Sequence, residues 1–226
     1  MALAVPDASV APPPRPRPPF REAACTGADI DLDQSLTDPA CDMPREDPRW
    51  VDLTHNASSG MRGGRLVYEI KPHALHARAD APIEAQIEVT NVGATATEIG
   101  VVIGSDRGFR LEARPVAPLP PQAGGRLVEG PQRPGHPLGP NEWRLAYVRI
   151  PPGGVAHATC LAKATTTQTE HLEGSPGAPA RWVVRPVALT PGTYTVLVVP
   201  PWSSESFDVR GRQGSKVTLT VEPLSP

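Results

Sequence analysis

The sequence predicts an all-β chain, an antiparallel β-sandwich behind a proline-rich, extended N-terminal segment. Three observations point there. From about residue 65 onward, apolar and polar residues alternate in run after run, the period of strands with one dry and one wet face. Turn residues punctuate those runs. Finally, 30 Pro and 20 Gly in 226 residues leave little room for long helices, because both residues break them.

Residues 1–24, "MALAVPDASVAPPPRPRPPFREAA", have no apolar periodicity and favour polyproline II, a semi-rigid spacer. The PxxP spacing in "PPPRPRPP" is also that of ligands for SH3-like grooves. Residues 25–50 are acidic and hold Cys25 and Cys41. These two cysteines are expected to close a disulfide ring, with Cys160 a small buried thiol. Such a ring contributes roughly 3 kcal/mol by the chain-entropy model. It forms only in an oxidising compartment, so free thiols at Cys25 and Cys41 would instead indicate the cytoplasm. Asp29, Asp31 and Asp33 alternate as the start of a calcium loop does, but position six would be Gln34 rather than Gly and position twelve Ala40 rather than Glu. A solvated acidic loop is the expectation there.

The remaining residues, 51–226, form the expected sandwich domain. "RLVYEIK" alternates, and "PIEAQIEVTN" puts Ile83, Ala85, Ile87 and Val89 on one face. "NVGATAT" supplies a turn and "EIGVVIG" the returning strand. "GFRLEARP" is a short strand, followed by the tract Pro115–Pro140, whose prolines argue against a central strand. "NEWRLAYVRI" resumes the alternation, "PPGG" turns the chain, and "VAHATCLAK" makes the next strand. "ATTTQTEHLEGSPGAPA" reads as a polar loop before the strand "RWVVRPV". In "LTPGTYTVLVVPPW", Pro191-Gly192 suits the middle of a type II turn and "TYTVLVV" a strand of architectural role. "SKVTLTVE" is the last strand.

Three phrases, in order, carry a resemblance. "IEAQIEVTNVGATATEI", "RIPPGGVAHATC" and "LTPGTYTVLV" resemble the paired strands, mid-domain turn and penultimate hairpin of bacterial immunoglobulin-like domains. Together with "NEWRLAYVRI" they are also similar to the intracellular proteinase inhibitor family of BsuPI type, over roughly residues 65 to 222. The resemblance implies an immunoglobulin-like sandwich and, as one reading, protease inhibition. It carries over no reactive residue, and the Pro115–Pro140 insertion and proline-rich leader depart from that pattern.

The formal charge of -2 shows none of the basic excess of nucleic-acid binders. No apolar run approaches the roughly 18 residues of a membrane helix. The leader reads as a spacer behind an anchor, so a tether through a removed N-terminal signal or a lipid anchor is expected. No Gly-x-Ser-x-Gly elbow occurs, and His157 lies three residues before Cys160, on opposite faces of a strand. An enzyme is therefore not expected, nor a cofactor.

His73 and His76, joined by His157, His171, Met61 or Cys160, would make a soft copper or zinc site; the plainer expectation is polar residues at a strand end. Trp143 and Trp182 read as core. Trp50 and Trp202, at element ends, are the candidate contact residues, since exposed tryptophans anchor interfaces. Asn56 matches a glycosylation acceptor. The combined expectation is a non-catalytic, extracytoplasmic module whose partner is another protein, with a periplasmic metal carrier and a protease inhibitor as alternatives.

Overall fold

The computed structural model describes residues 19–55, 58–103, 108–129, 144–172, 181–202 and 216–223. The chain is all-β, in antiparallel and mixed sheets. Its strands in order are β1 (Asp29–Asp31), β2 (Thr54–His55), β3 (Ser58–Arg62), β4 (Leu66–Lys71), β5 (Ala74–Arg78), β6 (Pro82–Asn91) and β7 (Thr97–Ile103). There follow β8 (Arg110–Pro115), β9 (Gly125–Glu129), β10 (Arg144–Ile150), β11 (Val155–Leu172), β12 (Arg181–Ala188), β13 (Gly192–Val199) and β14 (Val217–Glu222). The described helices are single turns, among them α1 (Leu32–Ser35) and α2 (Trp50–Leu53).

Ten strands form one sheet with the path β4-β6-β11-β9-β8-β13-β14-β5, to which β1 and β12 add by pairing with β11. The two ends of that path, β4 and β5, are consecutive in the chain, with only Pro72 and His73 between them. The sheet therefore folds over upon itself. A second sheet runs β10-β7-β3-β2.

Alternation in the sequence sets which side chains meet. Ile70, Ile87, Leu111, Leu127, Tyr194, Val196 and Leu219 fill the main core, joined from the second sheet by Ile99, Val101, Val148 and Ile150. The opposite face of the second sheet, Val102, Leu145 and Tyr147, is buried as well. It packs under residues 19–53, contributing Cys25, Cys41, Met43 and Leu53, with Phe20 and Trp50 at the margin. Three layers result: the folded-over sheet, the second sheet, and an N-terminal strap. Each fully buried Leu or Ile in these cores is worth about 1.5–3 kcal/mol.

The Asn-Val-Gly corner after β6 has a specific cause. The Asn91 side chain is fully buried: its Oδ1 accepts from the backbone N–H of Arg65 and Gly93, while its Nδ2 donates to the carbonyls of Thr95 and Ile150. One amide thus ties β4, the β6–β7 turn and β10 together.

Several expectations are corrected. The proline tract does contain a central strand, since β9 pairs with both β8 and β11. Its residues "GRLVE" hold no proline, and the prohibition applies only to prolines within the ladder. The polar run "TTTQTEHL" is strand rather than loop, the distal part of β11; threonine is β-branched and suits extended backbone whatever its polarity. Gly192 has φ +152, not the value near +80 of a type II turn. A Cβ there would meet the Leu119 side chain at 2.6 Å, so the corner is an extended kink that only glycine fits. The leader to residue 18, Asn56, Trp143 and Pro131–Pro140 lie outside the described residues.

Candidate functional site

Two regions carry unusual chemistry: the strap and a ribbon made of β11 and β12. In the strap, Cys25 and Cys41 form a disulfide, with Cα atoms 5.6 Å apart. Both sulfurs lie within the outer core. Arg49 then grips Asp47 with two parallel hydrogen bonds, Nε to Oδ1 at 2.9 Å and Nη2 to Oδ2 at 2.8 Å. Its Nη1 also donates to Glu22 at 3.0 Å and to the Tyr147 hydroxyl at 3.2 Å, and that hydroxyl donates to Glu98 at 2.9 Å.

The Arg49 guanidinium beside Asp47 holds that carboxyl below the ordinary carboxylate range. Burial, then the Glu98 hydrogen bond, pushes the Tyr147 hydroxyl above its ordinary value. A second pair, Arg144 with Asp42, is more deeply buried: Nε donates to Oδ1 at 2.7 Å and Nη2 also donates to the Leu36 carbonyl. These are bidentate or multiply bonded pairs, the strong kind. They fasten the strap to β7 and β10.

Two of the alternating aspartates, Asp29 and Asp33, tie the strap to β11, and the third caps a helix within it. Asp29 pairs with His157 at 3.2 Å, Asp31 caps α1 by accepting from the Gln34 N–H, and Asp33 accepts from the Thr159 N–H at 2.8 Å. Their carboxylates take separate partners. His73 is exposed against Glu69, His76 stands outward on β5, and Met61 packs against the main core. Cys160 is buried, donates to the Phe109 carbonyl, and has its thiol pushed up to about 12 by burial. Among the described residues no three His, Cys, Asp or Glu side chains are placed to share a metal ion. No described helix is long and apolar enough to cross a membrane.

The tryptophans divide differently from expectation. Trp202 is only 8% exposed; its indole N–H donates to the Tyr68 hydroxyl at 2.9 Å, and Phe109 meets it edge-on. It closes one end of the main core. Trp50 is half-buried against the outer core. Trp182, expected in the core, is instead 70% exposed.

The reason is topological. β11 is buried through Thr166 and then leaves the body, with Thr167–Thr169 exposed. β12 pairs with this distal half alone among the described strands, in the register Thr165↔Ala188 to Leu172↔Arg181. Beyond Thr166 the two strands make a ribbon on which no described strand stacks. On β12, Val184 is 62% and Val187 37% exposed. Trp182, Val184, Pro186 and Ala188 share one face of the ribbon, and Val183, Arg185 and Val187 the other.

Sequence reasoning missed this region because "RWVVRPV" alone reads as a core strand. A signal existed: its hairpin neighbour is polar from Thr165 through His171, and a strand paired with a polar strand has no apolar face to share with it. Compared with family models and with curated proteins, the chain finds no match.

Proposed function

We propose that the chain is a non-catalytic, extracytoplasmic β-sandwich module that acts through contact with another protein, as an accessory or structural subunit of an envelope or surface assembly. The exposed β11–β12 ribbon is the observation that carries this reading. A strand with Trp182 70% and Val184 62% exposed on one face presents large apolar side chains to solvent, the usual mark of an interaction site. Tryptophan is among the residues that most often dominate such contacts.

The Cys25–Cys41 disulfide supports the compartment, since such bonds persist in oxidising surroundings. A photo-crosslinking residue in place of Val184 tests the contact, with Val92, exposed on a different strand end, as control. The expectation is a discrete adduct from the ribbon and none from the control; equal labelling or none at either position defeats the reading. Non-reducing mass spectrometry of protein isolated from its cells tests the compartment. Free thiols at Cys25 and Cys41 would remove the extracytoplasmic half of the proposal.

A further inference from the structure

We propose that the Cys25–Cys41 disulfide is a redox latch on the outer edge of β10: closed, it holds two short strap segments against that edge, and a dithiol that opens it uncovers the edge while the sandwich stays folded. β10 ends its sheet, in the order β10-β7-β3-β2. The strap covers its flank away from β7 in two places. Thr26 bridges Arg149 in parallel, with the Gly27 N–H donating to the Arg149 carbonyl at 3.4 Å; Asp42 bridges Ala146 in antiparallel, with the Met43 N–H donating to the Leu145 carbonyl at 2.9 Å. Those two carbonyls fix the register. Leu145, Tyr147 and Arg149 turn their backbone groups to the strap, and Arg144, Ala146, Val148 and Ile150 turn theirs to β7.

Each cysteine is the chain neighbour of a bridging residue, Cys25 of Thr26 and Cys41 of Asp42. The disulfide thus couples two segments that run in opposite directions along β10 into one substitute edge strand. The Arg21 N–H, bonded to the Ala40 carbonyl at 2.8 Å, joins them at one end, and the Asp42–Arg144 pair holds one of them from its side chain. Between the two segments, β1 and Asp33 stay tied to β11, so the strap opens at β10 without coming away whole. An apolar strand such as "RLAYVRI" with a bare edge is a template for pairing with another extended chain. Access to that template is what the latch controls.

Opening the bond moves two electrons and two protons from the dithiol to the cysteines. A thiolate of the dithiol attacks one sulfur, the Cys25–Cys41 bond breaks and a mixed disulfide forms. The second thiolate then displaces that cysteine, closing a cyclic disulfide and leaving Cys25 and Cys41 as thiols. Both cysteines are 1% exposed, so the strap lifts before the dithiol reaches them, and reduction then keeps it open.

Amide hydrogen exchange of the full chain, followed residue by residue by NMR before and after treatment with dithiothreitol, is the measurement. On reduction the N–H groups of Leu145, Tyr147 and Arg149 are expected to exchange at least about tenfold faster relative to those of β6 and β13, with the β-sheet circular dichroism retained. Replacing Cys25 and Cys41 together by Ser should reproduce this without reductant; if that variant fails to fold, the reduced native chain still decides. Dithiothreitol should open the bond more slowly in the folded chain than in urea, and Asp42→Asn, which loosens one segment, should speed it. Outward amides that accelerate no more than those of β6 and β13 overturn the proposal, whether nothing changes or the whole sandwich loosens. So does a disulfide that is reduced equally fast folded and unfolded, or that dithiothreitol never opens in the folded chain.

Discussion

β10 reads "RLAYVRI" and β12 reads "RWVVRPVA". Each has two arginines, an aromatic residue and aliphatic side chains between them. Yet Leu145, Ala146, Tyr147, Val148 and Ile150 of β10 are buried, and even Arg144 is buried on Asp42, while most of β12 is exposed. The difference lies in neighbours. β10 has the main core beneath it and the disulfide-closed strap above it; among the described residues β12 has one mostly polar strand beside it and no layer on either face. An alternating or apolar run specifies extended backbone, and long-range topology then decides whether its faces are dry.

That comparison can be broken from either side. Removing the buried carboxylate with Asp42→Ala leaves the Arg144 charge without its partner and is expected to cost about 3–5 kcal/mol in denaturant unfolding. Leu145→Ala, which opens a void between strap and second sheet, should cost about 3 kcal/mol, and an unchanged midpoint would contradict the layered arrangement. Replacing Cys25 and Cys41 together by Ser should cost roughly 3 kcal/mol or a little less. The same measurement on Trp182→Ala or Val184→Ala should move stability by less than about 0.5 kcal/mol.

A pH series sharpens the account of the strap. Asp47 has a lowered pKa in the fold, so its contribution is complete above its ordinary 3.8 and is lost as pH falls through the lowered folded value. The loss should be about 1 kcal/mol or less, as for a partly exposed pair. Arg49→Met should remove this part of the acid limb, leaving a flatter curve at low pH. At the other end, Tyr147 ionises less readily when folded, so stability should decline as pH rises above the ordinary tyrosine value near 10. Cys160 should resist alkylation at pH 8 until the chain unfolds, because burial keeps it protonated.

Local pattern made much of the sandwich legible. "PIEAQIEVTN" is β6 with Ile83, Ala85, Ile87 and Val89 buried as alternation requires, and "TYTVLVV" lies in β13, a central strand between β8 and β14. The Cys25–Cys41 pairing was likewise readable, because two close cysteines in a short segment can reach each other. Four features were less so. β9 hid between prolines that flank it without entering it. The distal half of β11 looked like a loop because its threonines are polar, although their shape favours extension. The exposure of Trp182 depended on where β11 leaves the body, which the window "RWVVRPV" does not contain and only the polarity of its hairpin neighbour hints at. The Arg49 network joins residues as far apart as Glu22 and Tyr147, and nothing in either neighbourhood announces the other.

The strap covers strands that come much later in the chain. Its ring spans residues 25 to 41, yet the surface it seals is built from β7 and from β10, which ends at Ile150. On a chain emerging N-terminus first, the thiols can meet long before their resting place exists. The closed loop must therefore wait in solvent, with Ile30 and Leu32 open to water, until more than a hundred further residues have arrived. During that interval an oxidant commits the cross-link, and a chaperone that shields apolar patches would have most to do.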